Sequence, residues 1–140
     1  MEDCSTELIT IEQDQLADAF PMVVEGLRAV IDRGDSTGWT EYDVYHELMN
    51  GTAELVVGYY DSVYSGFILL HPATDHLFIW ALYTVPGYLH LFDSHWQPIV
   101  DAAKAAGLDK IKFGTTRPGW KKAAVKYGFE LEELVFSRTI

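Results

Sequence analysis

The chain has 140 residues, enough for one domain with a sizeable core and too few for two. Hydrophobic residues make up 49% of it, which excludes a mainly disordered protein. Its 10 Lys and Arg are outnumbered by 21 Asp and Glu, and the formal net charge is -11. Such a surface repels nucleic acid and suits a basic partner.

The cysteine content and the N-terminal segment bear on the compartment. The single cysteine, Cys4, cannot form an intrachain disulfide and is expected to be a free thiol in a reducing compartment. It lies in the acidic segment MEDCSTE, which lacks an apolar core, so no cleaved signal peptide is expected. Pro86, Gly87 and His90 interrupt the longest apolar stretch, so no membrane span is expected either.

The first predicted elements are a strand and two helices. Alternating apolar and polar residues predict a strand over 7–12. Apolar residues at helical spacing predict an amphipathic helix from 13 to about 33, kinked or restarted at Pro21, which cannot donate an interior hydrogen bond. A second helix follows Thr40, whose side chain can form a capping box with Asp43.

Three strands are predicted next. Residues 53–60 and 64–72 flank Asp61 and Ser62, which form a turn signal between the strands of a hairpin. The third strand, 75–85, is the most apolar, as is typical of a central strand that is buried on both faces.

The rest of the chain alternates between helices and strands. Helical spacing over about 90–106 precedes an alternating strand at 109–115 and a short helix at 119–128 that ends in glycine. Residues 129–140 predict one or two closing strands. The order indicates one α/β domain, a mixed sheet with helices on both faces.

This order and the sequence GLDKIKFGTTRPGWKKAAVKYGFELEELVFSRTI resemble the GNAT superfamily of N-acyltransferases, whose C-terminal half has a strand, a helix ending in Gly-Phe and a closing strand pair. The chain looks most similar to short, divergent GNAT-like proteins of tailed bacteriophages. The resemblance implies a mostly antiparallel central sheet in a single domain over residues 1–140. It also implies acyl transfer from acetyl-CoA or another acyl-CoA to an amine.

The resemblance further implies a cofactor site. The backbone of the third strand would pair with the pantetheine arm, and amides of the following loop would hold the pyrophosphate. The implied cofactor-binding residues are Leu82, Tyr83, Thr84, Gly87, Tyr88 and Leu89. Apart from the resemblance, Arg117 is added to them, because it lies at a predicted strand-to-helix turn where a bidentate contact with an anion is geometrically natural.

The sequence departs from the family pattern twice. The family's loop reads Arg/Gln-x-x-Gly-x-Gly/Ala, whereas this chain reads VPGYLHLFDSHW and has no Arg or Lys between 75 and 103. The family's general-acid tyrosine, four residues before the glycine of Gly-Phe, is replaced by Ala124. Because the third strand has no other carboxylate, a general base would have to be Asp75, His76 or a water.

The segment TTRPGWKKAAVKYGFE concentrates basic residues, and it indicates either an anion site or a solvated helix face. Lys122 and Lys126 lie one turn apart while Lys121 points elsewhere, which favours solvated lysines. No metal site is expected, because His90 and His95 do not share a helical face and no cysteine could join them.

The aromatic residues leave three roles open, namely core packing, a cleft for an apolar group and a protein-binding surface. They include Tyr59, Tyr60, Tyr64, Trp80 and Tyr83.

Three functions stay open at this level. The first is the acyltransferase, and the second is a non-catalytic GNAT-fold component of a virion or its assembly that binds other phage or host proteins. The third is an acidic mimic that occupies a nucleic-acid-binding partner. A cytoplasmic or virion-associated location is expected, with neither membrane nor nucleic acid as partner.

Overall fold

The computed structural model describes residues 6–32, 39–87, 99–114, 120–132, 135–136 and 138–140. The strands are β1 (Thr6–Thr10), β2 (Glu54–Tyr60), β3 (Val63–Pro72), β4 (Leu77–Thr84) and β5 (Ile111–Phe113). The helices are α1 (Leu16–Asp32), which follows a 3-10 turn at Gln13–Gln15, α2 (Glu41–Met49), α3, whose described part is 99–105, and α4 (Trp120–Lys126).

The strands form one sheet in the order β1-β2-β3-β4-β5. The first three pairings are antiparallel, and β4 pairs with β5 in parallel. The predicted fold class, a mixed and mostly antiparallel sheet in an α/β domain, is therefore confirmed. The middle strand is β3 rather than β4, however, and β3 has the longest uninterrupted run of buried residues.

Helices cover both faces of the sheet, as predicted. On one face, residues of α1 and α2 pack on alternate residues of β2 and β3, among them Leu27, Val44, Val57 and Phe67. On the other face, Ile99 and Ala103 of α3 pack on the intervening residues, which include Val56, Ile68 and Ile79. The period of two in a strand sends alternate side chains to these two clusters.

Local signals in the sequence account for several element boundaries. Thr40 and Asp43 form the predicted capping box, in which Asp43 Oδ2 accepts from Thr40 N at 2.8 Å. Asp61 and Ser62 have φ angles of 50° and 68°, as a tight hairpin turn between β2 and β3 requires. Pro21 lies inside α1, which runs through it as one helix, so the predicted alternative of a restart at this residue is wrong.

The closing strands predicted over 129–140 are absent from the part of that segment that the structure describes. Val135 and Phe136 of this segment are 85% and 87% exposed, so their side chains do not pack on the sheet. The neighbouring strand β5 has only three residues and so offers few backbone groups to a further strand. Among the described residues, no helix is long and apolar enough to cross a bilayer.

Candidate functional site

The candidate site begins where β4 and β5 cease to pair. Their described pairing covers three positions, from Leu77 with Ile111 to Ile79 with Phe113. Beyond them β4 continues over residues 80–84 with no described strand on that edge. Five residues of extended chain correspond to about 16 Å of strand edge. We call this stretch the open edge of β4.

A β-bulge marks the start of the open edge. On the β3 side, Leu69 pairs with Ala81 and Leu70 pairs with Ile79, so Trp80 is the extra residue. A bulge bends its strand and increases the local twist. The bulge lies at the position where the described pairing between β4 and β5 ends.

The bulge also determines which backbone groups face the open edge. Val85 N–H donates to Ser65 O at 2.8 Å, so the backbone groups of Val85 face β3. Backbone groups alternate between the two edges of a strand, and those of Thr84 and Leu82 consequently point to the open edge. These amides and carbonyls can hydrogen bond an extended ligand as a neighbouring strand would.

The other edge of β4 is held tightly by β3. Gly66 lies opposite Thr84, and a Cβ at Gly66 would lie 2.2 Å from Tyr83 O. On the helical face, a Cβ at Gly26 of α1 would lie 2.6 Å from Cδ2 of Tyr83. Tyr83 also stacks on Phe67 with ring centroids 5.6 Å apart. The open edge therefore belongs to a strand that is fixed on its other sides.

Three aromatic rings lie at the bulge, on the face that α1 and α2 cover. Trp39, which precedes α2, meets Trp80 edge-on at 5.5 Å, and His71 of β3 meets Trp80 at 6.3 Å. All three side chains are half-buried. We call Trp39, His71 and Trp80 the bulge cluster. Sequence analysis missed His71 as a candidate, although a histidine that interrupts the apolar strand segment FILLHP was the available signal.

The predicted base candidates Asp75 and His76 lie together in the turn before β4. His76 Nδ1 is 2.6 Å from Asp75 Oδ1, and this hydrogen bond lowers the pKa of the exposed Asp75 carboxyl. The paired residues 77–79 separate this turn from the open edge. The pair is thus farther along β4 from Leu82 and Thr84 than the bulge cluster is.

Tyrosines gather at the other end of β4. Tyr59 and Tyr64 meet edge-on at 6.4 Å, and Tyr59 OH contacts Met22 Sδ at 3.9 Å. Within the part of the chain that the structure describes, the buried hydroxyl of Tyr64 has no hydrogen-bond partner, and burial raises the pKa of Tyr64 far above the usual range. These rings pack against the core beneath α1, as the packing interpretation predicts.

The last helix, α4, contains the lysines of the basic segment and is followed by the predicted Gly-Phe end. Lys122 and Lys126 of α4 are exposed, as expected of solvated lysines. After α4, Phe129 N–H donates to Ala124 O and Gly128 N–H to Val125 O, and Phe129 packs edge-on against Phe113 at 4.9 Å.

The loop after β4 is only partly described. Gly87, with a φ of 95°, is exposed next to the open edge. The predicted residues Tyr88, Leu89 and Arg117 lie outside the described residues, as does most of the loop after β4. No group of three or more His, Cys, Asp or Glu within the described ranges could hold a metal ion.

Comparison with known proteins is informative at the level of structure alone. No family model and no curated protein matches the sequence. Among solved structures, a predicted acetyltransferase from Clostridium acetobutylicum, crystallised with acetyl-CoA, is similar with a TM-score of 0.67 over 96% of both chains at 15% identity. The chain has a GNAT-like fold.

Two further structures support this fold assignment. The aminoglycoside N-acetyltransferase AAC(6')-Iy in complex with CoA is similar with a TM-score of 0.67 at 14% identity, over 99% of this chain and 97% of that one. An aminoglycoside acetyltransferase from an uncultured soil metagenomic sample reaches 0.70 at 11% identity, over 97% and 99%. The GNAT-like fold thus extends over nearly the whole chain, and structures of this fold include complexes with acetyl-CoA or CoA.

Proposed function

We propose that the protein is an acyl-CoA-dependent N-acyltransferase. The observation that carries the proposal is the early end of β4–β5 pairing at the Trp80 bulge, which leaves the backbone groups of Leu82 and Thr84 for a ligand. An acyl-CoA arm laid along this edge would place its thioester near the bulge and its pyrophosphate near Gly87. Solved structures of the same fold include complexes with acetyl-CoA and CoA, which supports an acyl-CoA as the ligand.

The reaction requires few groups from the protein. The nitrogen of a neutral amine attacks the thioester carbonyl, a C–N bond forms, the C–S bond breaks, and CoA leaves as a thiolate. The amine loses one proton and the thiolate gains one, so the overall step needs no other reactant. The bulge cluster would lie at the reacting end, where the ring of His71 can accept the amine proton directly or through one water.

The two departures from the family pattern affect different parts of the reaction. Ala124 cannot protonate the thiolate, so the proposed enzyme leaves this proton to solvent or to the amine. The loop after Gly87 lacks the usual arginine, so the pyrophosphate would rest on backbone amides. Both departures predict weak cofactor binding and slow turnover, rather than a different reaction.

Calorimetric titration with acetyl-CoA, from micromolar to millimolar, tests the proposal. We expect saturable heat for the protein and about a tenfold weaker affinity for Thr84→Pro, since proline removes the N–H that faces the open edge. The control is Thr84→Val, which keeps that N–H and removes only the hydroxyl. A flat trace for the unsubstituted protein, or equal affinities for the two variants, would overturn the proposal.

The role of His71 has its own test. With acetyl-CoA and a panel of primary amines as substrates, His71→Gln should lower the transfer rate about a hundredfold without weakening acetyl-CoA binding. His76→Gln is the matched control. It makes the same change in a residue that the paired residues 77–79 separate from the open edge. A larger loss for His76→Gln would assign the proton to the Asp75–His76 pair instead.

A second candidate function is a non-catalytic protein-binding component, such as a part of a virion or of its assembly. It is favoured by the exposed apolar side chains of Leu131, Val135 and Phe136 near the C-terminus, which could contact a partner. This candidate predicts no heat with acetyl-CoA, so the calorimetric experiment separates it from the enzyme.

A further inference from the structure

The bulge in β4 places two neighbouring side chains on the same face of the sheet. Trp80 and Ala81 both pack in the cluster beneath α1 and α2, whereas Ile79 and Leu82 pack in the cluster beneath α3. A regular strand sends consecutive side chains to opposite faces, so this arrangement follows from the extra residue. The indole of Trp80 therefore lies on the α1 and α2 side of β4, at the first residue of the open edge.

The three rings of the bulge cluster form a corner rather than a parallel stack. Trp39 meets Trp80 at an interplanar angle of 65°, and His71 meets Trp80 at 77°. Each of the three side chains is half-buried, so part of each ring reaches solvent. Aromatic pairs favour offset-stacked and edge-to-face contacts, and a corner of rings offers both kinds of contact to one further ring. The cluster therefore suits a flat aromatic group better than a saturated one.

The bulge cluster makes few polar contacts within the described ranges. Hydrogen bonds of histidine rings there involve His46 and His76, so the ring nitrogens of His71 remain available to a ligand. The described ion pairs include no residue of the cluster. An ammonium group that enters this surface loses hydration without gaining a described carboxylate partner, which lowers its pKa and favours the neutral amine that attacks a thioester. A single amine thus suits the cluster better than a cation with several charges.

From this arrangement we infer that the acyl acceptor is a primary amine joined by a short chain to one flat aromatic ring. The ring of the acceptor would lie against Trp39 and Trp80, and the short chain would bring the amine to His71 and to the thioester at the start of the open edge. The inference rests on the proposed acyltransferase function. The transfer step is the same, since a C–N bond forms, the C–S bond breaks, and the proton that the amine loses is taken up by the CoA thiolate.

Two primary amines with the same linker and the same number of carbon atoms test the acceptor class. Phenylethylamine has a flat ring, whereas cyclohexylethylamine has a saturated ring that is more apolar. With acetyl-CoA as the donor, we expect kcat/KM to be about fivefold higher for phenylethylamine, because contacts between aromatic rings add to the burial of apolar area. Equal values, or a preference for the saturated ring, would show that apolar area alone decides and would overturn the inference.

Variants of Trp39 test where the ring of the acceptor binds. Trp39→Leu keeps an apolar side chain but removes the flat ring, and it should reduce the preference for phenylethylamine to less than about twofold, whereas Trp39→Phe should keep most of it. Phe20→Leu is the control, because Phe20 packs on Tyr45 at 4.8 Å, and it should leave the preference unchanged. Equal losses for Trp39→Leu and Phe20→Leu would indicate a general loosening of the helices and would overturn the assignment to the bulge cluster.

Binding measurements without turnover keep this inference separate from the proposed function. Tryptophan fluorescence follows each amine, and calorimetry follows acetyl-CoA. Binding of acetyl-CoA with no preference between the two amines overturns the acceptor class and leaves the acyltransferase in place. Binding of phenylethylamine without binding of acetyl-CoA overturns the acyltransferase and, with it, the role of this amine as acceptor. Faster release of CoA thiol with phenylethylamine than with cyclohexylethylamine at equal concentration supports both.

Discussion

The segment that ends with β4 and the segment that begins with α3 differ in how they are packed. In the first, long strands and two helices enclose fully buried side chains such as Leu27, Leu55 and Phe67. In the second, β5 has three residues, and Leu131 and Phe136 are 78% and 87% exposed. The difference indicates that the first segment provides most of the stability, while the second leaves an edge of β4 open.

This division suits a binding site at the border between the two segments. The strand β4 is anchored to β3 along its whole length, yet its pairing with β5 covers three positions among the described residues. A ligand on the open edge would therefore find backbone groups that are already held in an extended conformation. Such preorganisation lowers the entropic cost of binding.

The largest expected difference between the two segments is in the loss of stability when an aromatic side chain is removed from each. Phe67→Ala, in the buried cluster beneath α1, should lower the free energy of unfolding by about 3–5 kcal/mol, because it removes buried area and leaves a cavity. Phe136→Ala, in the exposed tail, should change it by about 0.5 kcal/mol or less. Urea denaturation monitored by circular dichroism measures both. Comparable losses would show that the two segments are equally packed.

Adding a single methyl group to the wall of the site should have the next largest effect. Gly66→Ala forces a Cβ against Tyr83 O, and we expect a loss of about 1–3 kcal/mol in unfolding free energy together with weaker acetyl-CoA binding. Gly114→Ala is the control beyond β5, because no atom of the described residues lies within 4 Å of its added Cβ. Thermal unfolding and calorimetry distinguish the variants, and equal behaviour would contradict the close packing of β3 on β4.

Features that depend on residues close together in the sequence were predicted better than features that depend on contacts between distant segments. Capping by Thr40 and Asp43 and the turn at Asp61 and Ser62 are short-range features, and both were predicted. The bulge at Trp80 depends on register between separate strands, which alternation of residue types does not encode. The open edge was expected only from the resemblance to GNAT proteins.

The incorrect prediction of closing strands has a similar origin. Residues 129–140 alternate as a strand does, but a strand also needs a partner edge, and β5 is too short to provide much of one. His71 was overlooked because its proximity to Trp80 arises from pairing between β3 and β4. Asp75 and His76 stay predictions; the paired residues 77–79 lie between them and the open edge of β4.

A helix cap in the well-packed segment should have a smaller effect. Thr40→Ala removes the side-chain oxygen that accepts from Asp43 N, and we expect about 1 kcal/mol lower stability. Thr74→Ala, in the exposed turn between β3 and β4, is the control with no helix to cap. Urea denaturation should separate the two variants. If Thr40→Ala were neutral, the capping box would contribute nothing measurable to α2.

The smallest effect is expected where the tail meets β5. Lys112 Nζ lies 2.7 Å from Glu132 Oε1, and this hydrogen bond holds the pKa of Glu132 below its ordinary value of 4.5. Because the folded pKa is lowered, the contact contributes above pH 4.5 and is lost as the pH falls through the lowered pKa. Glu132→Gln should abolish this dependence, and Glu130→Gln, which changes a nearby exposed carboxylate, should retain it.

The amide chemical shifts of β5, followed by NMR from neutral pH to about pH 3, measure that dependence. Their midpoint gives a pKa that can be compared with the ordinary value for glutamate. Because Glu132 is solvent-exposed, global stability should scarcely change even when the shifts of Lys112 and Phe113 do. A tail that can be released without unfolding the sheet would sharpen the contrast between the two segments. If global stability fell together with these shifts on acidification, and did not fall in the Glu132→Gln variant, the residues after α4 would instead be an integral part of the folded core.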